Sequence, residues 1–94
     1  HKILLTHGHN YGVKYSIDRL CYAAEEKQAE AAFFGHTHRM MLERENGVWV
    51  CNPGSISLPR GGPASYARLT VENGRAALLE LVDEDGSLLR KERL

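Results

Sequence analysis

Short apolar runs alternate with glycine-bearing polar turns along the whole chain. Residues 2–6 carry Ile3-Leu4-Leu5 and residues 31–34 are Ala31-Ala32-Phe33-Phe34. Runs of this length, bounded by turn signals, predict buried strands. Between them Ile17, Leu20, Cys21, Ala24 and Gln28 recur at helical spacing. That spacing predicts a helix from Ser16, its expected N-cap, to about Glu30. Asp18 falls in the first turn, where a negative charge suits the helix dipole. Strand, helix, strand in this order is a βαβ crossover, which implies parallel strands and a right-handed connection.

The second half has a different rhythm. Residues 40–45 and 48–51 flank Asn46-Gly47, and residues 65–71 and 75–82 flank Asn73-Gly74. Both dipeptides tolerate positive φ, the requirement of a two-residue hairpin turn. Asp85-Gly86 offers a third turn before a strand at 88–94. Ala67, Leu69 and Val71 alternate with Tyr66, Arg68 and Thr70, as in a strand with one wet face. Between the hairpins, residues 52–63 hold three prolines and three glycines, which predicts a fixed irregular loop that is either functional or a plain linker. One helix cannot cover both faces of a parallel sheet. With His1 rather than Met in first place, the chain reads as the C-terminal part of a larger sheet.

Composition narrows the class. Ninety-four residues make one small domain, and 43% hydrophobic with 26% charged residues are globular values. Twelve basic and twelve acidic side chains cancel, so no overall field favours nucleic acid or a membrane surface. The run Arg90-Lys91-Glu92-Arg93 mixes signs and reads as a solvated strand. No apolar stretch reaches the ~20 residues of a membrane span, and no signal segment opens the chain. Cys21 and Cys51 form no C-x-x-C pair. They read as reduced structural cysteines of a cytoplasmic protein, with a disulfide left open.

Candidate chemistry lies in the histidines. Four of five fall in two clusters, Thr6-His7-Gly8-His9 and Gly35-His36-Thr37-His38, each just after a predicted strand. In open α/β sheets that edge is where ligands bind, and neutral imidazole is the commonest metal ligand. A single His-x-His is better explained by a loop, but two such clusters, both at strand ends, point to metal. If residues 36–38 are extended, His36 and His38 project the same way, and His7 joins them from the neighbouring strand. Gly8 and Gly35 would let the backbone turn tightly there. Three imidazoles could hold one zinc, whereas two metals also need carboxylates, and no Asp lies close to either cluster. Ser55 and Ser57 lack a nucleophile-elbow context, so no catalytic residue is assigned.

Leu4-Leu5-Thr6-His7-Gly8-His9, Phe34-Gly35-His36-Thr37-His38 and Asn52-Pro53-Gly54-Ser55, in this order, resemble the calcineurin-like metallophosphoesterases. The likeness is closest to the small bacterial YfcE-type phosphodiesterases, and it continues through Ser57-Leu58-Pro59-Arg60-Gly61-Gly62. It implies an α/β fold, the C-terminal portion of an αββα sandwich, with residues 1–94 forming the C-terminal part of a single domain. It further implies a metal-dependent phosphoesterase with two divalent ions, manganese first, with zinc, nickel or iron as alternatives. By motif His7 and His36 would bind one ion and His38 the other. His9 and Asn52 would act behind the ligands or toward substrate, and Arg60 could meet a phosphate or equally be a surface charge. The family's Asp-x-His, Gly-Asp and Gly-Asn-x-Asp/His motifs would lie upstream and supply the carboxylates, so these 94 residues alone are expected to be inactive. The expected partner is a phosphoester substrate, with self-association compatible and neither nucleic acid nor membrane indicated. A retromer subunit of the same fold supplies the other reading, a non-catalytic protein-binding scaffold.

Overall fold

Strand alternation sorts the apolar side chains onto two faces of one sheet. The computed structural model describes residues 3–93, the side chains of 75–77 apart. The chain runs β1 (Ile3–Leu5), a 3-10 turn (His9–Tyr11), α1 (Asp18–Glu26), β2 (Ala31–Phe33), β3 (Met41–Glu45), β4 (Val48–Asn52), β5 (Ser65–Glu72), β6 (Arg75–Asp83) and β7 (Leu88–Arg93). Lys2 and Leu94, the predicted outer ends of the first and last strands, lie outside the described residues.

β1, β2, β4 and β3 form a mixed sheet in that order, and β5, β6 and β7 an antiparallel one. β1 pairs parallel with β2, as the crossover requires. The second half is not wholly antiparallel, however. β4 pairs parallel with β2, while β3 alone runs antiparallel beside β4. The run Val48-Trp49-Val50-Cys51 is apolar on both faces, which suits a central strand.

On one face Ala32, Phe34, Val48 and Val50 pack against Leu20, Cys21 and Ala24 of α1. On the other, Phe33, Leu42, Trp49 and Cys51 meet Ala67, Leu69, Leu79 and Leu81 of the antiparallel sheet. Each buried Leu or Val contributes about 1.5–3 kcal/mol. The face expected to lack a cover is therefore covered by a sheet, not a helix. Among the described residues the layers are helix, sheet, sheet, three of the four in an αββα sandwich. The cover stops short of β1, which pairs with β2 alone among the described residues, leaving Leu5 73% and Ile3 36% exposed.

Both Asn-Gly turns adopt positive φ at both residues, 50° and 82° at Asn46-Gly47 and 52° and 74° at Asn73-Gly74. The alternation of β5 breaks at a bulge between Thr70 and Val71, and Val71, expected inward, is exposed. At α1 the cap is Ile17. Ser16 lies one residue upstream, where its hydroxyl accepts the Asp18 N–H at 3.1 Å.

The helix ends at Glu26, short of the expected Glu30, because Gln28 turns left-handed with φ 57°. Gln28 N–H then bonds the Glu25 carbonyl at 3.0 Å and Ala29 N–H the Ala24 carbonyl at 2.8 Å, the paired closure that glycine usually supplies. A side chain in this conformation costs roughly 1–2 kcal/mol, part of which glycine returns as unfolded-chain entropy. Gln28→Gly should thus raise the unfolding free energy by about 0.5–1 kcal/mol in a urea titration.

Cys21 and Cys51 are free and buried on opposite faces of the mixed sheet. Burial pushes the Cys51 thiol from 9.0 up to about 12. The unfolded chain therefore ionises first, and the folded state keeps its proton. Stability is intact below about pH 9 and falls as pH rises from there toward about 12. Urea titrations between about pH 8 and 10 should show this decline in the native protein and a shallower one in Cys51→Ala.

Candidate metal centre

The three parallel strands end level with one another. Leu5 is in register with Phe33, and Phe33 with Cys51. The ladder continues past them: Thr6 N–H donates to the Phe33 carbonyl and Gly35 N–H to the His7 carbonyl, both at 3.0 Å. Phe34 N–H reaches the Cys51 carbonyl at 3.0 Å. Regular pairing thus carries His7, His36 and Asn52 to one rim, the carboxyl edge where α/β sheets bind ligands.

At that rim His7 Nε2 and His36 Nδ1 stand 2.9 Å apart. Their ring centroids are separated by 4.9 Å, and His9 lies 5.2 Å from His7 and 6.3 Å from His36. Loss of hydration, then His7, His9, Lys14 and His38, holds the His36 imidazole below its ordinary pKa of 6.5. A neutral ring keeps the lone pair that a ligand needs.

His38 takes a separate position. Its Nδ1 lies 3.0 Å from the Leu58 carbonyl, which can only accept, so Nδ1 carries the proton and Nε2 the lone pair. Metal-ligating histidines are fixed by just such a carbonyl.

Residues 36–38 are not extended, contrary to expectation. His36 has φ 68° and His38 φ 60°, a region that costs a non-glycine residue of order 1–3 kcal/mol. Thr37 N–H bonds the Gly35 carbonyl at 2.7 Å, so His36 is the centre of a three-residue γ-turn with positive φ, a strained form. Gly35 itself needs no positive φ. Gly8 does, at 101°, and a methyl there would stand 2.8 Å from Val13 Cγ2.

Asn52 holds the strained turn. Its buried Nδ2 donates to the Gly35 carbonyl at 3.2 Å and to Thr37 Oγ1 at 2.9 Å, while Oδ1 accepts the Gly54 N–H at 2.9 Å. The loop at 53–64 braces the far side. Arg60 N–H donates to the His38 carbonyl at 2.9 Å, and Ser65 Oγ to the Pro53 carbonyl at 2.8 Å.

The donors fit part of a metal centre. Nitrogens bound at about 2.0–2.1 Å to one tetrahedral ion lie roughly 3.3 Å apart, a few tenths beyond the present His7–His36 separation. Among the described residues no three His, Cys, Asp or Glu side chains converge to hold an ion by themselves.

Beside the histidines opens a pocket of about 410 Å³ lined by Lys14, His36, Thr37, Arg39 and Arg60. Sequence reasoning singled out Arg60 but missed Lys14 and Arg39. Three segments far apart in the chain bring these cations together, and no local motif marks them.

The profile of the calcineurin-like phosphoesterase superfamily domain matches residues 1–74. The probable metallophosphoesterase YsnB of Bacillus subtilis (strain 168) is 45% identical over 87 residues, 92% of this chain and 51% of that protein. Phosphodiesterase YfcE of Escherichia coli (strain K12) is 34% identical over 84 residues, 88% of this chain and 41% of that one. The chain thus spans about half the length of the curated relatives it matches. A predicted phosphoesterase from Streptococcus pneumoniae TIGR4 superposes with TM-score 0.78 at 26% identity, over 94% of this chain and 53% of that structure. Vps29 of Entamoeba histolytica, complexed with Zn²⁺, superposes with TM-score 0.59 at 22% identity, over 82% of this chain and 45% of its own, a likeness of fold.

Proposed function

The chain belongs to the calcineurin-like phosphoesterase superfamily, and from that premise we propose that the complete protein hydrolyses phosphodiesters or phosphomonoesters at a two-metal centre. This chain would be the C-terminal part of the domain and supply His7 and His36 to one ion and His38 to the other. Manganese is the first choice, ahead of zinc, nickel or iron. Lewis acidity toward the phosphoryl group and acidification of a water are the chemistry such ions supply when bound.

The reading rests above all on one observation, the approach of His7 Nε2 to His36 Nδ1 within 2.9 Å across two parallel strands. The other residues have supporting work. The Leu58 carbonyl orients His38, Asn52 fixes the turn that aims His36, and His9 flanks the pair, where it would act behind the ligands or toward substrate. The bridging carboxylate would come from the remainder of the domain, so the 94 residues alone should not turn over substrate. We place the enzyme in the cytoplasm, where thiols such as Cys21 and Cys51 stay reduced.

The test is turnover of bis-p-nitrophenyl phosphate with Mn²⁺ by the complete protein, alongside elemental analysis. Two ions per chain, with loss of turnover in His7→Ala and His38→Ala, is the expected result. Full turnover in either variant would refute the ligand assignment. The fold shared with Vps29, with Ile56 and Leu58 exposed on the loop beside the histidines, favours the scaffold as a second reading. It requires no turnover with any divalent ion.

A further inference from the structure

The chain has no net charge, yet one pocket is strongly positive. Of its five lining residues, Lys14, Arg39 and Arg60 are cations and none is acidic. Among the described residues none of the three makes an ion pair; the two surface pairs are Arg68–Glu80 and Arg90–Glu92. Elsewhere the balanced composition offers carboxylates enough to neutralise such a group, but none lines this pocket.

Local structure makes room for the Arg39 cation and fixes the backbone that carries Arg60. Gly61 lets the Arg39 guanidinium lie against the backbone; a methyl there would stand 2.7 Å from Arg39 Nη1. The Arg60 N–H is anchored on the His38 carbonyl. Guanidinium groups bind phosphate oxygens in pairs, and lysine adds a point charge. Of the four clustered histidines only His36 lines the pocket, so it lies to one side of the His7–His36 pair. Its volume is within the range of pockets that hold small ligands.

Resting on the hydrolase reading, we propose that this pocket receives a second phosphate of the substrate, making the enzyme selective for phosphoesters that carry one. The scissile group would sit at the histidines, and the additional phosphate against Lys14, Arg39 and Arg60. Single-phosphate esters would leave the three cations without a partner.

The complete protein is assayed with the p-nitrophenyl ester of thymidine 5′-phosphate, with and without a 3′-phosphate. The phosphorylated ester should have a kcat/KM higher by about tenfold or more, the scale of one charge-assisted hydrogen-bonded contact. In Arg39→Gln, Arg60→Gln and Lys14→Gln the ratio of the two kcat/KM values should fall toward one. Calorimetry with inorganic pyrophosphate and a chelator gives a readout apart from activity, and each variant should bind it more weakly. Turnover of both esters at equal kcat/KM, with variants binding pyrophosphate normally, overturns the second-phosphate pocket and leaves the hydrolase standing. No turnover of either ester overturns the hydrolase reading and this assignment with it. A preference that keeps growing with oligonucleotide length also overturns it, because that behaviour belongs to a nucleic-acid track.

Discussion

Replacing His36 with glycine should cut phosphodiester turnover by the complete protein at least ~100-fold, beyond what losing a partner that only orients a ligand costs. The fold should hardly notice. His36 sits at φ 68° in the centre of a γ-turn, and glycine adopts that geometry without strain. The relief of about 1–3 kcal/mol offsets the hydrogen bond to His7 and the greater unfolded-state entropy of glycine. His36→Gly should therefore lie within about 1 kcal/mol of the native protein in chemical denaturation. His36→Ala, which keeps the strain and loses the contact, should be less stable than His36→Gly and equally inactive. If His36→Gly hydrolyses the diester within tenfold of the native rate, His36 is not a ligand.

Asn52→Leu is expected to be the most damaging change to the fold near the site. The side chain is fully buried and makes three hydrogen bonds, to the Gly35 carbonyl, Thr37 Oγ1 and the Gly54 N–H. Leucine has similar volume but leaves the Gly54 N–H unmatched and removes the Gly35 carbonyl's side-chain donor. The orphaned Gly54 N–H costs about 1–3 kcal/mol and each of the other two lost bonds about 0.5–1.5, so a loss of roughly 2–6 kcal/mol in unfolding free energy follows. Activity should fall as well, since one of the two braces on the strained turn that aims His36 is then gone. A variant within about 0.5 kcal/mol of native stability would show the three bonds to be incidental.

Much of this architecture is legible in the residues. Asn46-Gly47 and Asn73-Gly74 announce their hairpins because few other pairs accept two positive φ angles. The apolar run at 31–34 announces a buried strand and the two histidine clusters announce the rim, whereas the run at 3–5 announces a strand but not that its Ile3 and Leu5 lie exposed. Other features are hidden for physical reasons. An apolar β4 reveals burial on both faces but not its partner, so its parallel pairing with β2 goes unseen. Gln28, His36 and His38 adopt left-handed backbone without the glycine that would signal it, Gln28 in the local closure of α1 and the two histidines beside tertiary hydrogen bonds that periodicity cannot express. The Thr70–Val71 bulge shifts the alternation of β5 at a point where the sequence still alternates. The basic pocket escapes notice because positions 14, 39 and 60 meet only after folding, and opposite charges elsewhere cancel them in any tally.

The unpaired side of β1 bears on how this polypeptide behaves once purified. Among the described residues its outer rim carries backbone donors and acceptors beside the exposed Ile3 and Leu5, a template onto which a further strand can add. For a polypeptide of these 94 residues by themselves, loss of soluble material should therefore accelerate with concentration while the two Asn-Gly hairpins stay intact, and a strand supplied to this seam should suppress it.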